Sequence, residues 1–280
     1  MTHRVPSLHA RRLALALVVA VGVAAPHPLP AQNADSVKAS HEPLFTRSDA
    51  YYAAGFIIAA AAMAPIDLAV AHELRDSTTQ ANEFFQHSAT GFRLLGNPGA
   101  ISITTGMYVV GRLADRPRLA DVGLHSAEAI LFAEGVTDVL KVAVGRARPF
   151  QDPEHPFDVK PGRGWRRSYY ASFPSGHTTA AFATAAALSG ELGRLYPHMD
   201  WWVRPVLYGG AGLVGLSRMY NNYHWTSDVV VGAAIGTFSG WKIVRYNHTH
   251  PNNRLDRLFL GTRVAPTASG GTSVSFSWSF

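Results

Sequence analysis

The sequence predicts an all-α fold, a helical bundle with a short strand-like tail at its C-terminus. Three observations predict it. Apolar segments recur along the 280 residues at 50–71, 98–110, 122–144, 178–192, 203–216 and 229–244, most of them rich in Ala and Gly. Their length reads as helix rather than buried strand. The tail GGTSVSFSWSF alternates Val274, Phe276, Trp278 and Phe280 with serines, the period-two pattern of a strand with one apolar face. Composition agrees: hydrophobic residues make up 47% and charged residues 16%, with a net charge of +6.

Taken in order, residues 1–31 place Arg4, Arg11 and Arg12 before an apolar run over 13–25, then prolines and the small residue Ala31. That is the layout of a secretory signal peptide, too short in its apolar run to span a bilayer comfortably. Export is therefore expected. A polar segment follows at 32–49, then a helical domain at 50–250 and the tail at 251–280. Within the domain, the connector from Pro149 to Ser172 is dense in Pro, Gly, Arg and aromatics, as a functional loop is. The tail strand cannot bury itself alone, so it packs on the helical body or pairs with a partner.

Charge and composition bound the function classes. A positive chain meets anions or a membrane surface, and net charge does not choose between them. Nucleic acid is disfavoured, because the arginines are dispersed and no DNA-binding helix or RNA-binding strand signature is present. With no cysteine in the sequence, disulfides, thiolate chemistry and Cys-ligated metals are excluded. The apolar segments carry Asp67, Glu128, Glu134, Asp138 and Glu191, and Arg112, Arg116 and Arg118 would sit outside if the first three segments crossed a membrane. An exported bundle is preferred, and association of some helices with a membrane stays open.

Three stretches put polar residues where chemistry needs them. In KVAVGRARP, Lys141 and Arg148 lie seven residues apart, two turns on a helix that Pro149 ends. Two cations on one face suit a multi-oxygen anion; an ion pair of Lys141 with Glu134 or Asp138 is the plainer reading. In FPSGHTTAAFA, Ser175 is placed as an N-cap, so the amides of Gly176 and His177 point out of the first turn. Such a terminus accepts a phosphate-like group, and His177 is positioned to give a proton to a leaving oxygen. In SRMYNNYHWTSD, Asp228 lies four residues after His224, a spacing at which a carboxylate can hold one ring nitrogen protonated and leave the other free as a nucleophile. Arg218 offers a bidentate guanidinium. Singly, each stretch also reads as an ordinary cap or local ion pair.

Together, Lys141-x6-Arg148-Pro149, Pro174-Ser175-Gly176-His177 and Ser217-Arg218-x5-His224-x3-Asp228 resemble the type 2 phosphatidic acid phosphatase family, which includes bacterial class A acid phosphatases and vanadium haloperoxidases. The resemblance covers roughly 122–244. It implies an all-helical core in which the three stretches converge on one phosphate pocket. Lys141, Arg148 and Arg218 would bind phosphate oxygens, with Ser175 and the Gly176 amide completing the cradle. His224 would attack phosphorus to form a phosphohistidine, Asp228 would orient it, and His177 would protonate the leaving alkoxide. No metal or other cofactor is implied, although the same cage would bind vanadate. The expected substrates are phosphomonoesters, lipid phosphates or diphosphates. Rival readings are a vanadium-dependent haloperoxidase, a soluble broad-specificity acid phosphatase and a non-catalytic envelope scaffold.

Other features have blander readings. His125 and Glu128 share a helix face and are read as a packed or hydrogen-bonded pair rather than metal ligands. Trp165, Arg166 and Arg167 stand ahead of the second stretch, either as a substrate-facing rim or as a solvated loop.

Overall fold

The computed structural model describes residues 45–250, 253–260, 262–266 and 272–276. The expected signal peptide and most of the polar segment lie outside them.

The first apolar segment is helical, and its helix α1 (Arg47–Met63) starts three residues inside the expected polar segment. The Thr46 amide donates to Asp49 Oδ2 at 2.6 Å, closing the helix start. Pro65 cannot continue an α-helical ladder, and a 3-10 turn (Ala64–Ile66) hands the chain to α2 (Asp67–Arg75). Among the described residues, Arg47–Arg75 is the one helical stretch long and apolar enough to cross a membrane, with 17% of its most apolar window buried.

Two helices follow outside the predicted segments, α3 (Ser77–Gln80) and α4 (Glu83–Leu94). Asn82 caps α4 by accepting from the Phe85 amide. The other five apolar segments fall on α5 (Ala100–Leu113), α6 (Pro117–Val144), α8 (Gly176–Leu195), α9 (Asp200–Tyr220) and α10 (Thr226–Thr249). The connector before α8 holds a short α-helix, α7 (Arg163–Arg166), and a 3-10 turn (Ser168–Tyr170). After α11 (Arg254–Phe259), the strands β1 (Thr262–Pro266) and β2 (Thr272–Phe276) pair antiparallel, with Val264 opposite Val274. The tail strand therefore finds its partner within the chain; 277–280 lie outside the described residues.

α8 is the central helix, packed on α6, α9 and α10. Its core residues are mostly alanines, including Ala180, Ala183 and Ala187, all at most 1% exposed. Small side chains let the backbones approach. A Cβ on Gly232, Gly236 or Gly240 of α10 would lie 2.6, 2.3 or 2.6 Å from the carbonyl oxygens of Ser175, Thr179 and Ala183 on α8. Both rows repeat every four residues, so one face of each helix meets the other along about two turns. This contact fixes the starts of α8 and α10, and with them the second and third motifs, side by side.

Candidate active site

α6 stops earlier than the sequence suggested. Gly145 adopts a left-handed conformation (φ 63°) and ends the helix at Val144, because the chain must turn there beneath Lys160. Arg148 thus lies beyond the helix rather than on a shared face with Lys141. Both still reach one cavity. It has a volume of about 300 Å³, and Lys141, Arg148, Gly176, His177, Arg218 and His224 line it together with Arg93, Asn97, Glu134 and Tyr223. The three motifs converge, as the resemblance implied.

Cationic donors make the cavity electropositive. The Nε of Arg148 and the Nε and Nη1 of Arg218 are buried without a hydrogen-bond partner. Each such donor, removed from water, costs free energy until an acceptor arrives, and more so when it is charged. Both guanidiniums lie over the Tyr223 ring, whose centre is 5.1 Å from Arg148 Cζ and 4.6 Å from Arg218 Cζ. The ring holds the two cations in place without occupying the donors. Burial, and then Arg148, pull the Arg218 pKa down to about 10.

The histidines are neutral in this field. Burial first, then Arg218, His224 and Lys141, push His177 down to about 3. Burial is also the largest influence on His224, which is pushed down to about 4. A neutral imidazole is the form a nucleophile requires.

The orientation of His224 differs from the expected one. Its Nδ1 lies 2.6 Å from the Ser172 carbonyl oxygen, a bond only Nδ1–H can donate, whereas Asp228 Oδ2 stands 3.7 Å away. His224 stands just ahead of helix α10, which begins at Thr226, and the two side chains come within ion-pair distance without a hydrogen bond. Asp228 instead accepts from the Trp225 amide at 2.9 Å, from the Ser172 hydroxyl, and from Arg146 Nη1 at 2.6 Å. Arg146 also binds Asp67 at 2.8 Å and Ser227 Oγ at 2.8 Å. These four residues are at most 5% exposed, so the network is a buried, fully paired ionic knot. It clamps the start of α10 to the first apolar segment.

Ser175 is also placed differently. It occupies the N-cap position of α8, yet it is fully buried and its hydroxyl bonds Thr178 Oγ1 at 2.8 Å, behind the cavity wall. The backbone of Gly176 takes that place. A Cβ there would meet Lys141 Nζ at 2.8 Å and Glu134 Oε2 at 3.2 Å. Glu134 borders the cavity, pushed up to about 7 by burial against the pull of Lys141, while Lys141 Nζ also reaches Asp138 Oδ1 at 3.4 Å. Both carboxylates therefore act as counter-charges of Lys141. Trp165, Arg166 and Arg167 are exposed and do not line the cavity.

A model of the PAP2 superfamily matches residues 123–251. The chain carries a PAP2 superfamily domain. Among relatives of this domain, the lipid A 1-phosphatase of Porphyromonas gingivalis is 45% identical over 69 residues, 25% of this chain and 15% of that protein. The lipid A 1-phosphatase of Rhizobium etli is 31% identical over 159 residues, 56% of this chain and 57% of that one. The lipid phosphate phosphatase 1 of Arabidopsis thaliana is 33% identical over 130 residues, 39% of each chain. The chain thus spans less than two thirds of these curated relatives. Its fold is similar to a transmembrane PAP2 type phosphatidylglycerolphosphate phosphatase from Bacillus subtilis, with a TM-score of 0.53 and 22% identity over 75% of this chain and 99% of that one. All the motif residues fall inside the PAP2 domain; Arg93 and Asp67 come from the helices ahead of it.

Sequence reasoning missed Arg93, Arg146, Ser172 and Tyr223. A signal existed for two. Asn82-Glu83 followed by apolar residues marks a capped helix carrying Arg93, and Asp67 in an apolar segment demands a buried cation, which is Arg146.

Proposed function

We propose that this chain is a phosphatase acting on phosphomonoesters, lipid phosphates or diphosphates through a phosphohistidine on His224. The single observation that carries the reading is the set of buried, unpartnered guanidinium donors of Arg148 and Arg218, which border one cavity with two neutral imidazoles.

The chemistry follows from that arrangement. Phosphate oxygens take the donors of Arg148, Arg218 and Lys141 and the amide at Gly176, which neutralise charge on the equatorial oxygens as the transition state spreads it. His224 Nε2 attacks phosphorus while Nδ1–H stays on the Ser172 carbonyl; the bond from phosphorus to the leaving oxygen breaks, and that oxygen takes a proton from His177. A bound phosphate dianion offsets the cations that depress His177, so substrate arrival itself favours the protonated form of this acid. Water then attacks the phosphohistidine, giving a proton to the now neutral His177; the bond from phosphorus to His224 Nε2 breaks, and inorganic phosphate leaves. The site residues themselves supply the positive charge that such a reaction needs, so we expect turnover without a metal. Vanadate, which carries the same tetrahedral oxygens, would occupy the site.

Lipid-linked phosphates fit the exposed apolar side chains of the bundle. Ile57, Ile58, Val110, Leu113, Leu131 and Val139 are each more than half exposed, an apolar surface that favours association with a membrane. The names of the three relatives point the same way. With a signal peptide at 1–31, the protein would act after export, in the cell envelope. Phosphate release from a chromogenic monoester, phosphatidate and a polyprenyl diphosphate tests the reading, alongside bromide oxidation with peroxide and added vanadate. Release from at least one ester, with acid-labile phosphate trapped on wild type and absent from His224→Gln, is expected. Activity only in the vanadate assay would overturn it.

A further inference from the structure

At the end of the bundle away from the cavity, four helices bring together side chains that the phosphatase reading does not use. His125 lies sixteen residues before Lys141 on α6, about 24 Å along the axis at 1.5 Å per residue. Its Nδ1 meets Glu191 Oε1 of α8 at 2.7 Å, and His248 Nε2 of α10 meets both oxygens of the same carboxylate at 3.0 and 2.9 Å. The ligand atoms of the three residues all lie within 4.8 Å of one another. The expected partnership of His125 with Glu128 is not made; Glu128 binds Asn247 at 2.7 Å.

We propose that His125, Glu191 and His248 form a binding site for a divalent transition metal of the Zn²⁺ class, with Asp256 of α11 as its outer-shell partner.

Geometry carries the proposal. Bonds of 2.0–2.2 Å in a tetrahedral zinc site place neighbouring ligand atoms about 3.3 Å apart, so the two observed pairs need to open by about 0.3–0.6 Å. A second observation is independent of the three ligands. His125 Nε2 and Asp256 Oδ1 are both buried and pair with each other at 3.4 Å, with no other hydrogen-bond partner for either atom. A metal on Nδ1 fixes the proton on Nε2 and turns it toward that oxygen, the carboxylate–histidine–metal relation that supports zinc-bound histidines. His125 is 5% exposed and Asp256 7%, so water cannot easily serve either atom. Charge points the same way: Asp121, Glu128, Glu191 and Asp256 gather round two histidines, an excess of carboxylates that a dication offsets. Bound there, the ion would join α6, α8, α10 and α11, fastening the segment that leads into the β1–β2 hairpin.

The test uses the full chain, stripped with chelator, freed of any affinity tag and titrated with Zn²⁺ by calorimetry and with Co²⁺ by visible absorption. We expect uptake of one ion per chain, with proton release that depends on the buffer and an intense tetrahedral Co²⁺ spectrum. His248→Gln, at a partly exposed position, and Glu191→Gln should each weaken affinity by at least about 10-fold, as loss of a ligand does, while His224→Gln leaves it unchanged. Uptake equal in wild type and His248→Gln, uptake lost only in His224→Gln, or no uptake at all would overturn the site. Because these readouts do not involve phosphate release, they stand or fall apart from the phosphatase reading.

Discussion

His224 Nδ1 donates to the Ser172 carbonyl oxygen at 2.6 Å, and this backbone contact, not a carboxylate, sets the ring. The consequence is a division of labour: Ser172 fixes the tautomer that leaves Nε2 free, and Asp228 secures the start of α10 through Arg146 and the Trp225 amide. Asp228→Asn is therefore expected to act on stability as well as turnover. Leaving Arg146 buried with Asp67 alone should cost about 3 kcal/mol, the scale for breaking a buried ion pair. Thermal unfolding would show a lower Tm in Asp228→Asn than in His224→Asn; equal Tm values would count against the clamp.

Removing either imidazole should stop chemistry and spare the fold. His177→Ala is expected to lower kcat by about 10²–10⁴-fold, the range for loss of a general acid. His224→Ala should abolish the phosphoenzyme. Circular dichroism of both variants should match the wild type, since neither ring carries a contact that holds two helices together among the described interactions.

Binding of an inert anion gives a measure that does not depend on turnover. Phosphate or vanadate at 100 times its Kd should raise stability by about 2.7 kcal/mol, read as a higher Tm. Arg218→Ala should remove most of that rise. A full shift in Arg218→Ala would mean that the anion binds elsewhere.

Gly176→Ala separates the cradle from the fold. Its new Cβ would press on the flexible end of Lys141, which can move, so the protein should fold with near-normal Tm. The space for a phosphate oxygen would shrink, and kcat/KM should fall while the Tm shift from phosphate is lost. Gly236→Ala behaves oppositely: its Cβ meets the Thr179 carbonyl at 2.3 Å, and overpacking of this backbone contact should cost about 1–3 kcal/mol or more.

Stability should fall with acidity because of the two cavity histidines. Their pKa values in the folded protein, about 3 for His177 and about 4 for His224, lie below the unfolded value of about 6.5. The unfolded chain therefore binds protons first, and the stability these groups contribute is complete above pH ~6.5 and lost as pH falls toward their folded values. His177→Gln should flatten the decline of Tm between about pH 6.5 and 4. An unchanged slope would show that the ring is not held neutral.

The all-α class, the six main helices, the start of α8 after Ser175 and the residue types that meet in the cavity are all legible in the sequence. These are local matters: apolar length, caps and motif spacing act within one or two turns of chain. What differed was local as well: Gly145 ended α6 before Pro149, and the His224 ring nitrogen expected on Asp228 is held by the Ser172 carbonyl. Long-range packing, by contrast, makes Arg146 rather than His224 the main partner of Asp228, sets two guanidiniums on the Tyr223 ring, and brings Arg93 to the cavity. Arg146 and Asp228 are 82 residues apart, and His125 and Glu191 are 66 apart. Periodicity tells which face of a helix is buried, but which charge meets which across that distance depends on how closely α8 and α10 pack, and that is set by glycines whose role appears only when the two backbones are side by side.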